Sequence, residues 1–215
     1  MAKESNKNKT LLIERIKNDS KFRSLLTGRI VLTGNLIYAL FNAYVGIRYQ
    51  NYWFISMAFW YLIIGMLRLM AAMGNRDVHR KRKTASAAIC FLAVVLSGII
   101  CMGIVERRNP IRNEIIMIAL ALYTFVSMSL AIINVVKARK RKDAFLEIQR
   151  DISLVSAIGS MLSLERSMLG TFGDASDKLT FIMETATGAV AFVLISLIGL
   201  SLIRRKTAPD RKTDI

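Results

Sequence analysis

Apolar residues in this chain come in six blocks near 20 residues long, separated by short polar clusters. A hydrocarbon layer about 30 Å thick needs roughly 20 residues of helix to cross at a rise of 1.5 Å per residue. The blocks therefore predict membrane-spanning helices at 30–48, 52–73, 85–105, 112–136, 152–172 and 180–203. Short connections make sequential neighbours antiparallel. The expected fold is all-α, a polytopic six-transmembrane-helix bundle. It divides into a basic arm at 1–29, a membrane domain at 30–203 and a basic tail at 204–215. Within the arm, residues 10–27 also read as an amphipathic helix lying on the bilayer surface. The fifth block is the weakest, because its apolar-or-small core at 152–164 is short and ends at Glu165 and Arg166.

Composition agrees. The chain has 215 residues, 53% of them hydrophobic, and a mean hydropathy of +0.40. Six blocks leave no room for a sizeable soluble domain. The formal net charge of +16 would suggest nucleic acid in a soluble protein, but here its placement argues for a membrane. With the N-terminus inside, the cytoplasmic segments hold 24 Lys/Arg and the outer loops six. Such asymmetry follows the positive-inside rule. Both termini are then cytoplasmic, in a cell membrane, with the basic runs at 76–83 and 137–143 meeting anionic lipid headgroups. Arg68, about one turn from the inner end of the second helix, is expected to snorkel. Tyr44, Tyr49, Tyr52 and Trp53 form an outer aromatic belt. Cys90 and Cys101, too far apart on one helix for a disulfide, read as small core residues.

An offset of 101 residues aligns Thr84, Ala85, Ala88, Phe91, Leu96 and Gly98 with identical residues at 185, 186, 189, 192, 197 and 199. The third and sixth helices run in opposite directions, so a duplicated three-helix unit would be inverted, a plan found in secondary transporters. Shared apolar composition is the competing explanation.

Three groups of residues carry candidate chemistry. Ser153, Ser156, Ser160, Ser163 and Ser167, continued by Gly170, are spaced three and four apart and fall on one stripe of the fifth helix. Small polar residues of this kind let helices approach closely, or they line a water-filled path. Glu165, Arg166 and Glu184 share one level near the outer side. They form either a staple between the fifth and sixth helices or a substrate or proton site. Asn35 and Asn42, seven apart in the first helix, share a face turned to the bundle, since an amide facing lipid is costly.

His79 is the only histidine and sits in a basic connection. HExxH, P-loop, GxSxG and cysteine-pair metal motifs are missing from the sequence. No cofactor, metal, catalytic residue or nucleic-acid partner is therefore expected.

The stretches YALFNAYVGI (38–47), YWFISMAFW (52–60) and ISLVSAIGSMLSL (152–164) resemble segments of small, uncharacterised six-helix membrane proteins of bacteria. That resemblance implies a bacterial plasma membrane and carries no activity. The leading expectation is a small transporter or permease-like protein with its path beside the serine stripe. The alternative is a non-transporting accessory or regulatory membrane protein that packs against a protein partner or a second copy of itself.

Overall fold

A computed structural model describes residues 20–72, 78–105, 113–141, 144–172 and 177–204. The predicted arm before residue 20 and the tail after 204 lie outside the described residues, as does most of the surface helix predicted at 10–27. The described chain is all helical: α1 Ser20–Arg48, α2 Tyr52–Ala72, α3 Val78–Val105, α4 Glu114–Arg141, α5 Ala144–Phe172 and α6 Asp177–Arg204. Five of these, α2 to α6, are long and apolar enough to cross a membrane. Side chains of α1 are described only from Leu32 onward, which leaves that stretch short of a span.

Each predicted block has its helix. The helices run past the apolar blocks because polar helix formers continue the backbone hydrogen bonds beyond them. Thus α3 starts in the basic run at Val78, and α5 starts at Ala144 rather than 152. Gln50 turns the chain between α1 and α2 in a left-handed conformation, φ 50°. The Asn51 amide N–H donates back to the Gly46 carbonyl at 2.9 Å. A Cβ on Gly46 would sit 2.6 Å from Ile55 Cγ1, so glycine is what lets the two helices start out in contact.

The closest pairs are α1 with α2, α4 with α5, and α3 with α6, while α2 lies against α5 at the centre. Contacts fix the directions. Moving along α2 from Arg68 to Tyr61 to Trp53, the partners on α5 advance from Ser153 to Ser156 to Arg166, so these helices are antiparallel. α3 and α6 are antiparallel as well: Ser86 Oγ donates to the Gly199 carbonyl at 2.5 Å, and Gly188 packs on Ile100. The bundle therefore has two ends, one holding Arg82 and Glu147 (2.8 Å) and the other Arg166 and Glu184 (3.2 Å).

The core is aliphatic and aromatic: Met57, Trp60, Tyr61, Ile64, Ile89, Leu92, Leu96, Leu120, Ile152 and Ile195 are fully enclosed. The packing matches the 101-residue alignment at some positions only. Leu96 is fully buried while its counterpart Leu197 is 57% exposed. Gly98 faces open space while Gly199 packs on Cys90. Thr84 and Thr185, and Phe91 and Phe192, do agree in being exposed, so the alignment is not confirmed by the packing. The expected core cysteines also separate: Cys90 is half-buried against α6 and Cys101 is exposed.

Candidate functional site

The serine stripe is buried along its whole length. Ser153, Ser156, Ser160, Ser163 and Ser167 all face the interior. Their small size lets neighbouring side chains reach the α5 backbone, whose carbonyls already serve the helix but keep a second lone pair. Tyr61 Oη donates to the Ser156 carbonyl at 3.2 Å, and Thr124 Oγ1 donates to the Ser160 carbonyl at 3.1 Å. Gly159 continues the seam, since a Cβ there would collide with the Trp60 ring. Around Ser156, Gly159 and Ser160 the stripe packs against α2 and α4, and Ser163 meets Tyr38 of α1.

The structure brings Arg166 and Glu184 together across α5 and α6, with Glu165 beside them. Arg166 Nη1 donates to both Glu184 carboxylate oxygens at 3.2 and 3.3 Å. Its Nη2 donates to the Gly103 carbonyl at 3.0 Å, and the guanidinium lies 4.6 Å from the Trp53 ring centroid. One arginine of α5 thereby ties α2, α3 and α6 together. Trp53 is consequently buried under Arg166 instead of joining the exposed Tyr44, Tyr49 and Tyr52 in an aromatic belt. Glu165 and Thr187 complete the lining of a space of only about 20 Å³. Small-molecule sites occupy about 300–1,000 Å³, which is well above the space beside this group.

Asn35 and Asn42 face inward as their spacing predicts, and both are buried. Asn35 Oδ1 accepts from the Tyr123 hydroxyl at 3.0 Å, linking α1 to α4. Asn42 Nδ2 donates to its own helix, to the Tyr38 carbonyl at 2.8 Å.

Between α1 and α4 lies a cavity of about 410 Å³, and sequence reasoning did not find it. These two helices do not pack backbone to backbone. They meet through side chains, with the Tyr38 and Tyr123 rings parallel and centroids 3.5 Å apart. Tyr61 sets its edge against both. The mouth is apolar and sits at mid-helix height, between Ile37 of α1 and Leu122 and Val126 of α4. The floor is polar: Arg68 from α2, Ser153 from α5, and Asn35 and Ser127 at the sides.

Arg68 decides the character of this floor. It is 4% exposed, so it does not snorkel to an end of the bundle. Tyr61, Ile64 and Arg68 follow at spacings of three and four on the inward face of α2. That stripe was the available signal that the arginine points to the core. Its Nη1 donates to Ser153 Oγ at 3.3 Å, and its Nε is buried with no acceptor. Ser153 Oγ also accepts from Asn134 Nδ2 at 2.7 Å and donates to the Gln149 carbonyl at 2.8 Å. Among the described residues no carboxylate pairs with Arg68.

No protein family, curated protein or solved structure matches the chain. The functional reading therefore rests on geometry. Toward the next turn of α1, the buried Tyr38 hydroxyl lies beside the side chains of Asn42 and Ser163. Among the described residues no group of histidine, cysteine, aspartate and glutamate side chains is arranged to hold a metal ion. The arrangement suits binding of a polar or anionic group within an apolar enclosure.

Proposed function

We propose that this chain is a six-span integral membrane protein of the transporter or permease class, with its ligand path in the α1/α4 cleft. One observation supports it above the others: a cavity of about 410 Å³ at mid-helix height with a polar, cationic floor. The serine stripe contributes only Ser153 to this path. Glu165, Arg166 and Glu184 contribute none of it and hold the helices in place. The 24-to-6 distribution of Lys/Arg favours cytoplasmic termini, with anionic lipid headgroups meeting the basic runs. The pairing of α1 with α2, α4 with α5 and α3 with α6 is unchanged when the first three helices are exchanged for the last three. It favours two inverted three-helix units, related by element and not by the 101-residue register.

A second reading has its own support. The middle of α4 and α6 is largely uncovered, with Ile118, Leu122, Phe125, Val190, Val193 and Leu197 exposed. These faces suit lipid, and equally a partner helix or a second copy in an accessory protein.

Water accessibility of the cleft separates the two. In a protein with Cys90 and Cys101 replaced, single cysteines at Gly34, Ser127 and Ser153 are probed with a membrane-impermeant thiol reagent. Ser160, sealed in the seam, is the control. Labelling of the three cleft positions and not of position 160 is the expected result. Protection of all four from both sides of the membrane removes the aqueous path and leaves the accessory reading.

A further inference from the structure

We infer that the α1/α4 cleft holds a single-chain anionic amphiphile, a long-chain carboxylate, with its head on Arg68 and its tail toward the mouth between Ile37 and Leu122. The inference deepens the reading of the cleft as a ligand site and rests on it.

The head follows from charge. A guanidinium enclosed in the bundle costs several kcal/mol unless it is paired. Glu147 and Asp151, the described acids toward the same end of the bundle, are paired with Arg82 and Arg150. Arg68 has one hydroxyl as its hydrogen-bond partner and an Nε facing no acceptor. A planar fork of donors in that state matches the two oxygens of a carboxylate. Tyr123 and Ser153, each already hydrogen-bonded in the wall and floor, hold this end of the cavity polar.

The body follows from the mouth. Ile37, Leu122 and Val126 are exposed at mid-helix height, where an inserted bundle faces hydrocarbon rather than water. Phe41, Ala119 and Leu130 continue the apolar lining. A small hydrated anion arriving from the bilayer side would have to cross this apolar rim to reach Arg68. An amphiphile already in the bilayer slides in sideways, head first, and leaves its tail among lipid. One polar end and one apolar exit define a molecule with one anionic head and one chain.

The test uses the purified full chain in bilayer discs of zwitterionic phosphatidylcholine, with the fluorescent fatty acid cis-parinaric acid as probe. Palmitate should displace the probe. Hexadecanol, which has the tail without the charge, and acetate, which has the charge without the tail, should each compete more weakly by about tenfold or more. Arg68→Gln should weaken probe binding by about tenfold or more, and Arg68→Lys should restore part of it. Leu122→Trp fills the mouth at an exposed position, leaves Arg68 untouched and should also abolish binding; it carries the test if Arg68→Gln fails to fold. Equal competition by hexadecanol or by acetate overturns the proposal. So does unchanged probe binding in Leu122→Trp, or in an Arg68→Gln protein that melts like the parent. Displacement by palmitate without thiol labelling of the cleft sinks the aqueous transport path and keeps the amphiphile. Labelling without displacement does the reverse.

Discussion

Arg166 shows how much one side chain can organise. Its guanidinium meets Glu184, the Gly103 carbonyl and the Trp53 face, so its three contacts belong to three other helices. Pairing with Glu184 was legible in the sequence, because both residues lie at the same level of antiparallel helices. The carbonyl and the indole were not, since nothing in a linear pattern tells which way Trp53 rotates. Arg68 was misread for a related reason. A cation one turn from a helix end usually reaches for water, and only its place on the Tyr61–Ile64 stripe turns it inward. Replacing Arg166 or Glu184 singly with Met strands a buried charge and should cost about 3–5 kcal/mol. Replacing both should cost markedly less, because no orphan charge is left. Thermal melts of the four proteins in a mild detergent check this, and additive losses would contradict the staple.

At the scale of elements, the seam on α5 was the most legible feature, since spacings of three and four put all five serines on one face. Whether that face was wet or packed was not legible. The answer depends on what stands opposite, and around Ser156, Gly159 and Ser160 that is Trp60, Tyr61 and Thr124, which spacing along α5 does not name. Gly159 marks the tightest point, with Trp60 where its side chain would be. Gly159→Ala should destabilise the protein by about 1–3 kcal/mol through overpacking. Adding Trp60→Leu should recover part of that loss, although Trp60→Leu alone is destabilising. This sign reversal reports contact between the two positions. Equal losses in the presence and absence of Trp60 would place the strain elsewhere.

For the whole molecule, the count of helices, their order and their antiparallel runs follow from the six apolar blocks and the short connections. The α1/α4 cleft does not follow, because it arises where two helices fail to pack, and a hydrophobicity pattern records only what is apolar. Orientation is the remaining whole-molecule property, and charge asymmetry predicts it. In intact cells expressing a cysteine-free protein, Gln50→Cys in the α1–α2 turn and Asn113→Cys before α4 should react with an impermeant maleimide. Ser20→Cys at the start of α1 and Lys140→Cys near the end of α4 should react only after the cells are opened. The four positions separate the alternatives. Reaction of both Ser20→Cys and Gln50→Cys in intact cells would leave α1 on the surface and give the chain five spans. Reaction of Lys140→Cys with protection of Gln50→Cys would invert the molecule, against a bias of 24 to six in Lys/Arg. The count of spans also bears on the cleft. Its mouth lies in hydrocarbon only if α1 crosses beside α4, so a surface-lying α1 would remove one wall of the site along with the span.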